Sequence, residues 1–582
     1  MALLAALVAS CCAAQTAGGR ISGQVLDPTG AAIARAQVKA EQLETGLVRA
    51  TESGAAGEYS FPLLPVGPYR ITASHPGFQT ASRELRLEVG RQLQVSLRLS
   101  LGVEKQGLVV LESTPLLEPQ NAALGTVINR ETLADLPLNS RDFLQLALLA
   151  AGSLPAAPGS ELSRQNSSGL HVNGAREASN NFLLDGVDNN DLFINRIVVS
   201  PPLDAVREFR LHASDYPAEY GRSGGAQVNV LTRAGTNQFH GTLYEYLRNA
   251  DLDARNFFDD PSRPIPQFQR SQFGGAGGGP MRKERDFFFL GYEGTRLRQA
   301  ATKTARVPTA AEKAGDFSAD SQSIIDPFTQ RPFPGNQIPA SRLDPIGSAL
   351  ARYWPNPNRN DPAQNLVSAP VAPGRVDQAY GRLDHYFSDR DTAYVRYNFS
   401  HDRSLAPFNE GVTNVPGFGS FIIDRGQNLA VSETHVASAA TILEGRFGFN
   451  RLRRDVLQQN HGNDIGTQLG IPGLPRNPRD FGFPSIVVSG YDSLADNTAL
   501  PIIRTDNTFH AQASVTHLRG RHTLKAGGEY RRFSADGVND LFGRGQFSFL
   551  GTFTRNPVAD LLLGLPTLTL STKIDNPMAL RT

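Results

Sequence analysis

Residues 392–400 read TAYVRYNFS. Successive side chains of a strand point to opposite faces, so Ala393, Val395, Tyr397 and Phe399 share one face and Tyr394, Arg396, Asn398 and Ser400 the other. One face is apolar and the other polar. The same split sets Phe509, Ala511, Ala513 and Val515 against His510, Gln512, Ser514 and Thr516. It recurs with Leu524, Ala526, Gly528 and Tyr530 against Lys525, Gly527, Glu529 and Arg531. Arg396, Lys525, Glu529 and Arg531 would be costly against lipid and suit a wet lumen, which points to a barrel with its apolar side outward. Taken alone, the alternation also fits an array of soluble β-sandwiches.

The connections add an independent sign, because outer-membrane barrels alternate short periplasmic turns with long external loops. Ser388–Asp391 and Arg519–Gly520 are short, whereas the Pro-, Asn- and Gly-rich stretches at about 300–375, 403–430 and 454–507 are long. Between Phe239 and Thr582 roughly eight to eleven segments read as strands.

The rest of the chain is consistent with a β-rich protein. Its 582 residues exceed one compact domain, and 55 Gly with 38 Pro favour turns over long helices. Beyond the first residues no window approaches 18 uninterrupted apolar positions, so any crossing of a membrane must be by a closed barrel. A net charge of +1 gives no field to hold a polyanion, and nucleic acid is not an expected partner.

Ala2–Ala14 is a short apolar run ending in small residues, and residues 1–19 read as a signal peptide with a cut after Ala14. A buried N-terminal helix is the alternative. Both cysteines, Cys11 and Cys12, fall inside this leader, so the mature chain would hold no disulfide, thiolate metal site or cysteine nucleophile.

Residues 20–101 carry short alternating runs at Ile21–Leu26, Ala36–Ala40, Tyr59–Leu63, Tyr69–Ala73 and Leu93–Leu99, with turns at Asp27–Gly30 and Pro65–Pro68. This pattern predicts a small β-sandwich. GQVLDPTGAAIARAQV and GEYSFPLLPVGPYRITASHPGF resemble the carboxypeptidase regulatory-like domain, a transthyretin-like (Ig-like) sandwich. The resemblance implies a non-catalytic accessory module, and the chain holds no H-x-x-E pair for a peptidase zinc.

Residues 102–237 change character. Gly107–Ser113 contains a short apolar run that fits either strand addition to a partner's sheet edge or the first strand of the next unit. Ser140–Ala151 reads as a helix capped by Asn139 or Ser140, with Phe143, Leu144, Ala147 and Leu148 on one face, and a linker follows at Gly152–Gly169. VNGAR, NNFLLDGVDNND and EYGRSGGAQVNVLTRAGTN resemble the plug of a TonB-dependent outer-membrane receptor of the Oar-like branch. FHGTLYEYLRNADLDARNFFD and QFGGAGGGPMRKERDFFFLGYEGTR extend the match into barrel strands.

That resemblance implies a mostly β protein: the sandwich at 20–101, an α+β plug at 102–237 and an antiparallel transmembrane β-barrel at 238–582. Family barrels have about 22 strands, so the barrel is expected to be incomplete here, and the ending NPMALRT lacks the usual terminal aromatic residue. No reaction and no cofactor are implied. The expected partners are the TonB complex of the inner membrane, outer-membrane lipid and an external ligand such as an oligosaccharide, siderophore or peptide. Leu108, Val109, Val110 and Leu111 are the candidate TonB-coupling segment, and Asn173, Arg176, Asn180, Asn181, Asp185 and Asp188 the candidates for the ligand path. A surface adhesion protein using the barrel as anchor is the rival reading.

Three motifs fail their context. Gly221–Gly225 fits G-x-S-x-G around Ser223, but an alternating strand follows where a hydrolase needs a helix. Gly274–Gly279 lacks the spacing of a phosphate loop and runs into Pro280. Asp185, Asp188, Asn189, Asn190 and Asp191 offer oxygen ligands for calcium, yet their spacing is not that of an EF-hand and suits turns better.

Overall fold

The computed structural model describes residues 18–102, 109–110, 124–129, 141–157, 169–254, 265–474, 477–520, 522–573 and 578–581. The expected leader lies outside them.

The N-terminal unit comprises β1 (Gly18–Leu26), β2 (Gln37–Gln42), β3 (Val48–Glu52), β4 (Glu58–Pro65), β5 (Gly67–Ser74), β6 (Ala81–Leu87), β7 (Gln92–Gln94), β8 (Leu97–Arg98) and β9 (Val109–Val110). One sheet joins β4, β1 and β7, with β8 also on β1, and the other runs β3-β2-β5-β6-β9. Alternate residues of both sheets, including Ile21, Val25, Val38, Phe61, Ile71 and Leu93, meet in one buried core. Neither β3 nor β6 is among the expected runs: VRATE and ASRELRL are half exposed and carry no clean apolar alternation.

Next come β10 (Leu124–Asn129), β11 (Ser153–Pro155), β12 (Leu170–Val172), β13 (Asn181–Leu184), β14 (Val187–Asp188), β15 (Val206–Ser214) and β16 (Gln227–Thr232). They include a five-stranded mixed sheet in the order β10-β15-β16-β13-β14. The expected helix is a 3₁₀ segment, Phe143–Leu149, capped by Asp142, whose carboxylate accepts from the Leu144 N–H at 3.0 Å. The cap is thus not the expected Asn139 or Ser140, which lie outside the described residues. At about three residues per turn, positions i and i+3 align. Leu146 therefore joins Phe143, Leu144 and Ala147 in the core, and Leu148 is turned outward.

A ten-stranded antiparallel wall follows, built from β17 (His240–Asn249), β18 (Phe268–Arg282), β19 (Asp286–Ala300), β22 (Val371–Tyr386), β23 (Asp391–Ala406), β24 (Ser420–Ser438), β25 (Thr441–Gln458), β27 (Ile502–Arg519), β28 (His522–Asn539) and β31 (Met578–Arg581). Its order runs from β17 to β31, with these two as edge strands among the described residues. The polar face lies inside: Arg396, Asn398, Asn428, Asn450 and His510 are buried, while Val395, Tyr397, Val431, Phe447 and Phe509 are exposed. Where the five-stranded sheet touches the wall, glycine makes the space. A Cβ at Gly448 would stand 2.2 Å from Val187 Cγ1, and one at Gly426 would stand 2.5 Å from the Val198 carbonyl oxygen.

The long loops differ from the sequence expectation in two ways. Strands of 15 to 19 residues consume much of them, leaving connections at 407–419 and 459–501 in place of 403–430 and 454–507. Such strands exceed the roughly 9–11 residues that a bilayer requires of a spanning strand. What remains is folded. The small strands β20 (Lys303–Ala305), β21 (Leu366–Ser368), β26 (Ser485–Val488), β29 (Gln546–Phe549) and β30 (Leu568–Leu570), with helices Pro345–Ala351 and Pro557–Leu562, enclose a core around Phe317, Trp354, Phe483, Ile486 and Leu561. Periodicity misses this cap because its apolar residues come from segments far apart in sequence.

The N-terminal unit sits at the short-turn end of the wall and touches the mixed sheet. Arg207 bonds Glu44 at 3.0 Å, the Val89 N–H donates to Glu208, Arg210 donates to the Val89 carbonyl at 2.7 Å, and Val66, Val89 and Leu231 pack together.

Candidate functional site

The hairpin β13–β14 turns through Asp185 (φ 50°) and Gly186 (φ 76°). Two left-handed residues in an Asp-Gly pair are the chemistry of a type I′ hairpin, which matches strand twist. The turn drives the hairpin tip into the wall. Asp185 accepts from the Thr232 N–H at 2.9 Å, the Thr232 hydroxyl at 2.7 Å and Arg396 Nε at 3.0 Å. Arg396 is itself fully buried and also donates to the Leu184 carbonyl (2.9 Å) and to Asn428 Oδ1 (2.6 Å).

Two more carboxylates repeat the arrangement. Asp188 accepts from Arg531 at 2.9 Å, with Arg222 3.7 Å away, and its N–H donates to His510 Nδ1 at 3.3 Å. Nδ1 is therefore the acceptor, and Nε2 carries the proton that faces Glu529 at 3.1 Å. Asp191 pairs with Arg196 and Arg504, and Arg196 continues to Asp424, which also takes Arg454 at 2.7 Å. Asp185, Asp188 and Asp191 are thus each met by an arginine of the wall. Asn428 adds a bond from Nδ2 to the Asp188 carbonyl at 2.9 Å. A buried pair of this kind is costly to break, because the surviving charge keeps its desolvation penalty.

The six ligand-path candidates separate. Asn180, Asn181, Asp185 and Asp188 are buried, and their polar atoms are spent on protein. Asn180 donates to the Leu170 carbonyl at 2.6 Å, and Asn181 donates to Gln227 at 2.7 Å and accepts from Asn190 at 3.0 Å. Asn173 and Arg176 are exposed. Leu108 and Leu111 lie outside the described residues, while Val109–Val110 forms β9, added in parallel to the edge of β6 opposite Ser82 and Arg83. The oxygen cluster considered for calcium is bonded to guanidinium and backbone N–H groups instead. Ser223 donates its hydroxyl to the Ser179 carbonyl and precedes strand β16. Gly274–Gly279 lies within β18.

Sequence reading did not single out Arg504, Arg196 or Arg454. Carrying the two-residue period of His510 back to Arg504 would have found the first, since β27 begins at Ile502. Nothing local marks Arg196.

Two titrating groups flank this assembly. Burial, and then Arg210, brings His212 of β15 down to about 4, its ring lying 5.1 Å from that of Tyr220. In the cap, burial pushes Asp496 up to about 6 although it accepts from the Phe483 N–H at 2.7 Å. Close by, a cavity of about 200 Å³ is lined by Asp464, Thr467, Asp480 and Arg544.

Residues 231–582 match the outer membrane beta barrel domain family, and residues 20–100 match the carboxypeptidase regulatory-like domain. The chain is 24% identical over 264 residues to the TonB-dependent transporter Oar of Myxococcus xanthus, covering 43% of this chain and 24% of that protein. Among solved structures it is similar to the outer membrane transporter YddB of Escherichia coli (TM-score 0.47, 11% identity, 73% of this chain and 50% of that one). It is also similar to the siderophore receptor PirA of Acinetobacter baumannii (TM-score 0.44, 12% identity, 73% and 50%). The matched region thus spans about a quarter of the curated relative and half of each of these structures.

Proposed function

Because the chain belongs to the outer membrane beta barrel domain family, we propose that it is a TonB-dependent outer-membrane receptor that takes up an external ligand through a plugged barrel. The observation that supports this most is the mixed sheet seated within the wall on the ion pairs Asp185–Arg396, Asp188–Arg531 and Asp191–Arg504. In this reading the mixed sheet is the plug, the long loops are external and the N-terminal unit is periplasmic. A lumen closed by a separate sheet passes nothing until the sheet shifts, and paired charges give that sheet one defined seat.

The chain's own residues then divide the work. The folded cap and its polar cavity meet the ligand, with Asn173 and Arg176 as exposed plug positions. The coupling segment around Val109–Val110 receives the pull, and contacts such as Arg207–Glu44 tie the N-terminal unit to the plug. Oligosaccharide, siderophore and peptide are the ligand classes to screen. The test is capture of the full chain by the periplasmic domain of TonB. The Val109→Pro, Val110→Pro variant loses capture in this reading, and capture that survives removes the coupling assignment.

The cap favours a second reading. Loops with their own hydrophobic core present a fixed surface, as an adhesion protein requires. Accumulation of a labelled ligand in cells, abolished when TonB is absent, separates uptake from adhesion.

A further inference from the structure

The outer face of the wall gathers arginines near its long-loop end. Register places Arg296 of β19 opposite Arg375 of β22, and Arg375 opposite Arg403 of β23. One step toward the short turns, Arg425 of β24 stands opposite Arg453 of β25. All five point outward, since the alternate positions Tyr380, Asn398, Asn428 and Leu452 are buried in the interior. Like charges directly opposed in a sheet repel, so such a row is retained at a cost unless an anion lies against it.

The protein supplies part of that anion. Asp377 bonds Arg296 at 2.7 Å and Arg375 at 2.6 Å, and also takes the Tyr292 hydroxyl. Arg403 is exposed, with its guanidinium 5.4 Å from the Phe421 ring, and Arg425 lies 5.6 Å from Phe399. Around Arg296, Arg298, Arg375 and Arg403 the surface forms a concavity of about 660 Å³, with Leu405 and Phe421 in its lining. Toward the short turns the outward face of β19 to β25 becomes mostly apolar, with Leu290, Tyr397, Val431 and Phe447 each more than a third exposed. Cations bordering an apolar band fit a molecule that is anionic at one end and acyl at the other.

We propose that Arg296, Arg298, Arg375 and Arg403 form a site on the outer wall for the phosphate headgroup of an anionic outer-leaflet lipid, whose chains lie along the apolar band. The site rests on the membrane reading above: the long loops put the arginines at the external rim, at headgroup depth. Planar guanidinium groups take phosphate oxygens in pairs, and neighbouring strands present them at a spacing of about 5 Å. The occupant is a lipid and not a soluble anion because the same concavity offers Leu405 and Phe421 to its chains.

The test uses the full chain purified in neutral detergent, with bis-phosphorylated lipid A as the probe and native mass spectrometry as the readout. Wild type retains the probe, and Arg375→Gln with Arg403→Gln lowers retention roughly thirtyfold. The Lys pair at the same positions recovers much of it, Arg532→Gln on the same outer face changes nothing, and dephosphorylated lipid A is held equally weakly by all. Equal retention by wild type and the Gln pair overturns the site. Displacement by inorganic phosphate in excess overturns the lipid as its occupant. A wild-type chain found in the soluble fraction of cells would instead end the membrane reading, so the two failures are distinguishable.

Discussion

The N-terminal unit and the wall are both sheets of alternating residues, and they bury opposite faces. In the first, Ile21, Val25 and Ile71 point into a shared core between two sheets. In the second, Arg396, Asn398 and His510 point inward, and Val395, Tyr397 and Phe509 point out. The period is the same, and what differs is what stands across from the apolar side. A second sheet covers it in one case, and in the other only a lipid or detergent can.

The largest effect expected from this contrast is on solubility. Residues 20–101 expressed alone give a soluble monomer with a single cooperative thermal transition, while residues 102–582 aggregate unless detergent covers the outward face. A monodisperse, detergent-free 102–582 protein would refute the assigned polarity of the wall.

Removing one partner of the pairs between the mixed sheet and the wall comes next. Arg396→Ala leaves Asp185 buried and unpaired at a cost of about 3–5 kcal/mol. The Asp185→Asn, Arg396→Met double variant costs much less, which chemical unfolding in detergent measures as a double-mutant cycle. Equal losses would show that packing, not charge, seats the sheet.

Core truncation sharpens the comparison further. Ile71→Ala lowers the stability of the N-terminal unit by about 2–5 kcal/mol, whereas Val431→Ala on the outward face of the wall changes stability in detergent by well under 1 kcal/mol. Thermal melts of the two variants check it.

The smallest effect is in acid, and its sign differs between regions. His212, lowered to about 4, is neutral when folded, and the unfolded chain binds the extra proton. Its contribution to the mixed sheet is complete above the ordinary histidine value and fades as pH falls toward 4. Asp496, raised to about 6, binds its proton more tightly when folded, so its contribution to the cap grows as pH falls from 6 to 4. Hydrogen exchange at pH 5 and 7 resolves the two regions, and His212→Phe and Asp496→Asn each flatten one response.

Much of the architecture is legible in the residues. The alternation at 392–400, 509–516 and 524–531 marks wall strands and their polar face, because period two is a property of the backbone alone. Asp185-Gly186 marks its own turn, for only such a pair tolerates two positive φ angles cheaply.

Local pattern was enough to mark 392–400, 509–516 and 524–531 as strands, the polar side of each, and the family the chain joins. Tertiary structure alone decided the rest. It set guanidinium partners on Asp185 and Asp188, brought four distant loops round one core, and stood Arg296, Arg375 and Arg403 in line. The reason is separation along the chain: Asp188 and Arg531 are 343 residues apart. Local pattern fixes which face a side chain occupies, and only register and packing fix what it meets there.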